Sequence, residues 1–306
     1  MLKYSSILLV TLLLISACSE AEKERVADAL NSINLRNGES VDKVTKLAIE
    51  VQETSGLSYI DGQLWTHNDS GGEPKLYRVD KGNGKVLKTV TILNATNKDW
   101  EDLAFDDEYL YIGDFGNNMG KRKDLKIYKV KREALKTDTN VTAEIIKFTY
   151  DKQTDFKSNK NTAFDCEAFI AYEGKLYLFS KNHKESQTDL YRLDTKAGTD
   201  VAEYVTSYHT QVLITGASID VTNKALALSG YTDKLSPKTW IFKDFTDADF
   251  FKGKKEQISW GAPSKAQIEG ITHIGKGKLF ISTEKFKYTG STGSFSLSQS
   301  LYRLNY

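Results

Sequence analysis

An all-β fold, a β-propeller of five four-stranded blades, is predicted by three features of this sequence. A four-strand pattern recurs along the chain, tight-turn glycines separate the first two strands of most copies, and the last copy lacks the outer strand that a segment before the first copy can supply.

The first strand recurs as Ser55-Gly-Leu-Ser-Tyr, Glu101-Asp-Leu-Ala-Phe, Glu167-Ala-Phe-Ile-Ala, Ala217-Ser-Ile-Asp-Val and Glu269-Gly-Ile-Thr-His. A second follows as Leu64-Trp-Thr-His, Leu110-Tyr-Ile-Gly, Leu176-Tyr-Leu-Phe, Leu226-Ala-Leu-Ser and Leu279-Phe-Ile-Ser. Asp61-Gly62, Glu173-Gly174 and Lys276-Gly277 lie between them, and glycine supplies the positive φ that a tight hairpin needs. Third strands are Leu76-Tyr-Arg-Val, Ile127-Tyr-Lys-Val, Leu190-Tyr-Arg-Leu, Trp240-Ile-Phe-Lys and Leu301-Tyr-Arg-Leu, apolar and basic in alternation as one solvated face requires. Residues 85–92, 143–150, 202–208 and 255–260 have the β-branched and aromatic content of fourth strands. The fifth copy stops at Tyr306, so residues 44–51 are expected to pair beside Leu301 and close the ring, which limits exposed edges. The second interval is longest because of a polar stretch at 151–162, read as a loop insertion; a six-bladed ring would need a degenerate copy hidden there.

Ahead of the repeats, Lys3 precedes an apolar run too short for a permanent membrane helix, as in an export signal. The run ends in Leu14-Ile15-Ser16-Ala17-Cys18, which resembles a bacterial lipobox and makes Cys18 the expected lipidation site. The expected organisation is a signal peptide at 1–17, a lipidated tether at 18–43 and a single domain at 44–306. That implies an exported, lipid-anchored protein of the cell envelope, on an outer membrane or a periplasm-facing one. Lys plus Arg number 42 against 41 Asp plus Glu, with no basic run, which argues against a nucleic-acid partner. With Cys18 lipidated, Cys166 has no disulfide partner and reads as a buried small hydrophobe.

In a propeller the start of strand one and the end of strand two open on one face. The repeat starts are Ser55, Glu101, Glu167, Ala217 and Glu269, and the positions two residues earlier are Glu53, Asp99, Asp165, Thr215 and Gln267. Strand two exits at Asn68-Asp69, Asp114, Ser180-Lys181, Gly230-Tyr231 and Thr283-Glu284. So many carboxylates around one channel mouth need protons, bases or a metal ion. Oxygen-only ligands suit a hard cation, Ca²⁺ above all, for which Glu101, Glu167, Glu269, Asp99, Asp114 and Asp165 are the candidate ligands. The competing reading satisfies these carboxylates with Lys181, Lys285, backbone amides and water. Zinc is disfavoured because the four histidines, His67, His183, His209 and His273, lie in different repeats. Asn68, Asp69, His67, Trp100, Asn117, His183 and Glu284 are candidate contacts for a small molecule, glycan or protein at the mouth. No G-x-S-x-G turn is present and no Ser, His and Asp group together by sequence.

Ser55-Gly-Leu, Leu64-Trp-Thr-His-Asn-Asp-Ser-Gly-Gly, Asp99-Trp-Glu-Asp-Leu-Ala, Leu110-Tyr-Ile-Gly-Asp-Phe-Gly-Asn-Asn, Asp165-Cys-Glu-Ala-Phe and Ile268-Glu-Gly-Ile resemble motifs of the SdiA-regulated and esterase-like-phytase secreted propellers. The resemblance covers nearly the whole domain and implies a calcium-type site at Glu101, Glu167 and Glu269, with the fourth copy departing at Ala217. It implies no particular activity. A binding module is therefore the first expectation, and a metal-dependent hydrolase of phosphate esters, lactones or glycosides, with Glu101, Glu167 or Asp114 as base, is the alternative.

Overall fold

The computed structural model describes residues 33–182, 185–290 and 293–306. Cys18 and His183 lie outside them, so the expected signal peptide and lipidation site do too. Five antiparallel four-stranded units follow one another. Blade 1 is Thr54–Ile60, Gln63–Asn68, Lys75–Val79 and Val86–Ile92; blade 2 is Trp100–Phe105, Tyr109–Asp114, Lys126–Lys131 and Glu144–Tyr150. Blade 3 is Cys166–Tyr172, Lys175–Ser180, Thr188–Asp194 and Gly198–Tyr208; blade 4 is Leu213–Asp220, Ala225–Tyr231, Pro237–Lys243 and Lys254–Ala262. Blade 5 takes Ile268–Gly275, Lys278–Thr283 and Ser300–Asn305 from the chain's end and Asp42–Lys46 from before blade 1. Each inner strand lies against the next, and the fifth returns to the first. The chain is a β-propeller.

The closing strand pairs antiparallel with blade 5, Asp42 opposite Arg303 and Lys46 opposite Ser300. It ends earlier than expected, because Ile49–Val51 form a 3-10 turn that seats Val51 in the core. The folded part also begins earlier. Ile33–Ser40, expected to belong to a tether, forms a strand parallel to the outer strand of blade 4, with Ile33 opposite Lys255 and Arg36 ion-paired to Glu256 at 3.0 Å. Blades 2 and 3 merge in the same way, as the outer strand Glu144–Tyr150 pairs in parallel with Gly198–Tyr208. Outer edges, otherwise free to pair with other chains, are thus partly covered. Residues 151–162 hold no strand and fold as a loop, with Gln153 donating to the Gly120 carbonyl at 2.7 Å.

Five apolar clusters fill the five junctions between blades. Second strands feed two junctions at once, because successive side chains of a strand point to opposite faces. Leu110 and Ile112 enter the cluster shared with blade 1, while Tyr111 enters the one shared with blade 3. Leu176 and Leu178 face blade 2, whereas Tyr177 and Phe179 face blade 4. This explains why second strands read as unbroken apolar runs. Each such Leu or Phe, fully buried, contributes about 1.5–3 kcal/mol relative to exposure. Cys166 belongs to this packing, fully buried, and burial pushes its thiol well above the ordinary value.

Every inner strand carries a β-bulge near its start, and the unpaired residues are Ser55 and Gly56, Glu101 and Asp102, Glu167, Thr215, and Glu269 and Gly270. Bulges re-aim side chains, here from the blade face toward the mouth. The register corrects the fourth repeat. The residue four positions after the repeat start faces the first Leu of strand two in Tyr59–Leu64, Phe105–Leu110, Ala171–Leu176, Ile219–Leu226 and His273–Leu279. The equivalent of Glu167 is therefore Thr215, not Ala217. The displacement arises because Asp220 pairs with Ala225 across a longer turn, whereas Tyr172 pairs with Lys175 across two residues.

Asp102 turns from its bulge into the channel axis. Its carboxylate accepts N–H groups from Leu103 at 2.8 Å, Phe169 at 3.1 Å and Ala217 at 3.2 Å, tying blade 2 to blades 3 and 4. Asp102→Ala would leave these buried donors without an acceptor, at about 1–3 kcal/mol each. Chemical denaturation is expected to show a loss of roughly 3 kcal/mol or more; an unchanged midpoint would remove Asp102 from this role.

Candidate functional site at the acidic mouth

Two rings of repeat-equivalent residues shape the mouth. The bulge ring is Ser55, Glu101, Glu167, Thr215 and Glu269. The residues at or just past the exits of strand two, Asp69, Phe115, Lys181, Tyr231 and Glu284, form the second. Ser55 and Thr215 do not face a ligand: their hydroxyls donate to the Glu101 and Ile268 carbonyls of the next blade, each at 2.5 Å. Phe115 turns away into the core against Phe148 and Phe169.

The expected ligand set is divided by local bases. Glu167 is held by Lys181, whose Nζ donates to both carboxylate oxygens at 2.7 Å. Burial alone would lower the Lys181 ammonium, but the Glu167 charge, then Tyr231 and Glu269, outweigh it and hold it well above its ordinary value. Asp114 is fully buried and paired with Arg122 at 2.8 Å and Lys126 at 3.6 Å. Asp165, also fully buried, accepts the Asn117 N–H at 2.7 Å. Each of these three carboxylates, expected as a cation ligand, thus has a partner within the protein. Glu269 stands apart, on the Glu284 side.

What remains is a corner between blades 1 and 2. Asp69, Asp99 and Glu101 bring carboxylate oxygens within 4.8 Å of one another. Glu101 is 6 % exposed, and among the described residues its carboxylate has no hydrogen-bond donor. Burial, then the charges of Glu167, Asp69 and Asp99, push its carboxyl well above the ordinary range. Asp99 is pushed up to about 6 by burial and by Asp69, against the pull of Arg122. Asn97 fixes the corner's shape: its amide donates to the Asn68 and Asp69 carbonyls at 2.9 and 2.7 Å, and its oxygen accepts the Trp100 N–H at 3.2 Å. Gly116 closes the wall, since a Cβ there would overlap Glu101 Oε1 and lie 2.6 Å from the Asp99 carboxyl carbon. Oxygen donors converging with no cation nearer than Arg122, 4.0 Å from Asp99, suit a hard divalent ion.

Four expected contacts are turned to other partners than the mouth. His67 and Trp100 are fully buried, with the rings edge to face at 5.6 Å, and His67 Nδ1 lies 2.9 Å from the Asn68 carbonyl oxygen. Burial pulls the His67 imidazole down to about 4, so it is neutral. Asn117 is a turn staple, accepting the Arg122 N–H at 2.9 Å and donating to the Phe164 carbonyl at 3.0 Å. The Asn68 amide donates away from the mouth, to the Glu50 carbonyl at 2.8 Å. Asp69 and Glu284 do line it. Arg122, Asn97 and Asp102 were not anticipated; the regular recurrence of acids drew attention, whereas these three act once each.

The other end of the channel is a cavity of about 400 Å³ lined by Leu57, Phe169, Ile170, Tyr172, Ser218 and Thr272 among others. Here the structure groups a serine and a histidine that the sequence left apart. Ser218 Oγ lies 2.9 Å from His273 Nδ1 and accepts the His273 N–H at 2.9 Å, while His273 Nε2 lies 2.9 Å from Tyr306 Oη. Burial pulls the His273 ring down to about 4. With its backbone and ring both on one hydroxyl, His273 acts as a staple between blades 4 and 5.

No family profile and no curated protein sequence matches the chain. Among solved structures it is similar to a PQQ-bound aldose sugar dehydrogenase from Streptomyces coelicolor, at 11% identity over 87% of this chain and 98% of that one, with a TM-score of 0.48. It is also similar to a glucose dehydrogenase, at 8% identity over 88% and 100%, with a TM-score of 0.47. Hydrazine synthase from Kuenenia stuttgartiensis follows at 13% identity over 78% and 57%, with a TM-score of 0.38. The propeller assignment rests on the chain's own strand order.

Arg122→Met would leave the buried Asp114 carboxylate with Lys126 alone, at 3.6 Å, and losing one partner of such a pair costs about 3–5 kcal/mol. Thermal melts are expected to show that loss and its partial recovery in Arg122→Met with Asp114→Asn; equal melting of the two variants would contradict the pairing.

Proposed function

We propose that this chain is a cell-envelope lipoprotein, anchored through Cys18, whose propeller is a binding module with a Ca²⁺ ion at its acidic mouth. The observation that carries the reading is the Asp69, Asp99 and Glu101 corner, three inward carboxylates that neither Lys181 nor Arg122 neutralises at hydrogen-bond distance. Arg122 approaches Asp99 only to 4.0 Å. The resemblance to SdiA-regulated and esterase-like-phytase propellers supports a calcium-type site, moved from the Glu101, Glu167 and Glu269 ring to this corner. The ion would join blade 1 to blade 2 and give the mouth a fixed shape for a small molecule, glycan or protein.

The lipid-anchor reading draws on the sequence before residue 33. Ile33–Ser40 runs parallel to the outer strand of blade 4 and begins at the end remote from the acidic mouth. A tether from Cys18 would therefore leave the mouth turned away from the lipid surface. A binding role is preferred to hydrolysis because no nucleophile with an accessible base meets the mouth among the described residues.

Ca²⁺ at a hundredfold excess over its Kd is expected to stabilise the protein by about 2.7 kcal/mol, read as a rise in melting temperature that Glu101→Gln abolishes. A wild-type melt indifferent to Ca²⁺ would end the cation reading. Metal-dependent turnover of a phosphate ester, lactone or glycoside that Glu101→Gln removes would replace binding with hydrolysis.

Acidity provides a second check. Asp99 is pushed up to about 6 and Glu284 to about 8, each by burial first and then by neighbouring carboxylates. Both exceed the value of roughly 4 in an unfolded chain. The stability of their neutral forms is therefore complete below about pH 4 and is lost as pH rises through the folded values. The cation-free melting temperature is expected to fall from about pH 4 to pH 8, and Ca²⁺ should flatten that fall. Scanning fluorimetry across pH would show it; a flat cation-free profile would count against the carboxylate cluster.

A further inference from the structure

The side of the mouth formed by blades 4 and 5 holds a second unsatisfied group. Glu269 sits in the bulge of blade 5, is 7 % exposed, and among the described residues its carboxylate accepts no hydrogen bond. The charges that act on it belong to Glu284, Lys181, Glu167 and Asp69, so it points into the mouth and not between blades. Lys181 is not its partner. That ammonium has three N–H donors, and they are engaged by the two Glu167 oxygens at 2.7 Å and by Tyr231 Oη at 3.5 Å.

A second bare cation does not suit this place. A hard divalent ion takes about six to eight oxygens, and Glu269 and Glu284 are not part of any group of three described carboxylates drawn within 4.8 Å. An ammonium group makes a smaller demand, three acceptors or two with an aromatic face. The chain already holds one in this manner: Lys181 Nζ rests on Glu167 and lies 5.6 Å from the Tyr231 ring centroid. Tyr231 also borders Glu269, whose charge is the largest acting on its phenol. Two blades further round the ring, the same carboxylate position meets Glu284 where Glu167 meets Lys181. The base is replaced by a second acid, and the partner must come from outside.

We infer that Glu269 and Glu284 form a receptor for an ammonium group, so that the molecule bound at this mouth carries a primary amine. The inference names the ligand class of the proposed binding module and rests on that reading. The amine enters beside Tyr231, donates to both carboxylates, and leaves the Asp69, Asp99 and Glu101 corner to the cation.

Calorimetric titration of the full chain in detergent with cadaverine, a linear diamine, tests this, with the corresponding pentanediol as its uncharged counterpart. Each is measured with and without saturating Ca²⁺. The diamine is expected to bind in both conditions and the diol in neither. Glu269→Gln and Glu284→Gln are each expected to weaken the diamine at least tenfold and, since each removes repulsion, to melt no lower than the wild type. No binding of the diamine, equal binding of the diol, or undiminished binding to both variants overturns the inference. Displacement of the diamine by Ca²⁺ also overturns it, placing the amine in the cation corner while the cation reading stands. A diamine that binds through Glu269 to a protein indifferent to Ca²⁺ leaves the inference standing and removes the cation.

Discussion

Closing five strands around a narrow axis is the constraint on which the rest of the structure depends. Inner strands of neighbouring blades approach until backbone meets backbone, and three of the meeting points admit no side chain. A Cβ on Gly56 would lie 2.5 Å from the Leu103 nitrogen, and one on Gly216 or Gly270 would overlap the carbonyl oxygen of Glu269 or Ser55. These glycines serve the junctions of blades 1 with 2, 4 with 5, and 5 with 1. Where glycine is absent, around blade 3, Asp102 reaches across to the Phe169 and Ala217 amides instead. Close approach and a single buried carboxylate thus divide the fastening of the ring.

That fastening also creates the mouth. A strand pinned so near the axis cannot keep regular pairing with its hairpin partner, and each inner strand yields at a bulge. The residue released there is free to leave the blade surface, which is how carboxylates as costly to bury as Glu101, Glu167 and Glu269 come to the channel. Once there, they are treated differently. Lys181 covers Glu167, Arg122 covers Asp114, and the corners at Glu101 and Glu269 keep their charge or take up protons. The mouth is basic and aromatic across blades 3 and 4, and acidic from blade 5 through blade 2.

Much of this was legible in the sequence because repetition exposes it. Strand order, the closing strand and the acidic positions of the first strands follow from aligning copies. The fourth copy misled because its hairpin is longer, and alignment on Leu226 shifted Ala217 into the place that Thr215 holds. Sequence periodicity could not show which acids have private partners, since Arg122 lies in a loop and reaches Asp114 only through the folded turn. Nor could it separate His67 and Trp100, which pack, from Asp69 beside them, which faces the mouth. Neighbouring residues on a strand point to opposite faces, and the bulge changes which face that is.

Substitution within the bulge ring shows how one position can serve either the fold or a ligand. Ser55 and Thr215 carry short hydroxyls that reach the next blade's carbonyl, so their side chains are consumed in holding the ring. Glutamate at the equivalent place cannot donate to that carbonyl when ionised, and its length carries the charge past the backbone into the mouth. The two hydroxyl positions fasten blade 1 to blade 2 and blade 4 to blade 5, the blades that flank the two uncompensated acids. The carboxylates left without a base therefore stand where a hydroxyl already secures the adjoining strands. A ring secured this way can tolerate repulsion among Asp69, Asp99 and Glu101, and that repulsion is what a bound cation would relieve.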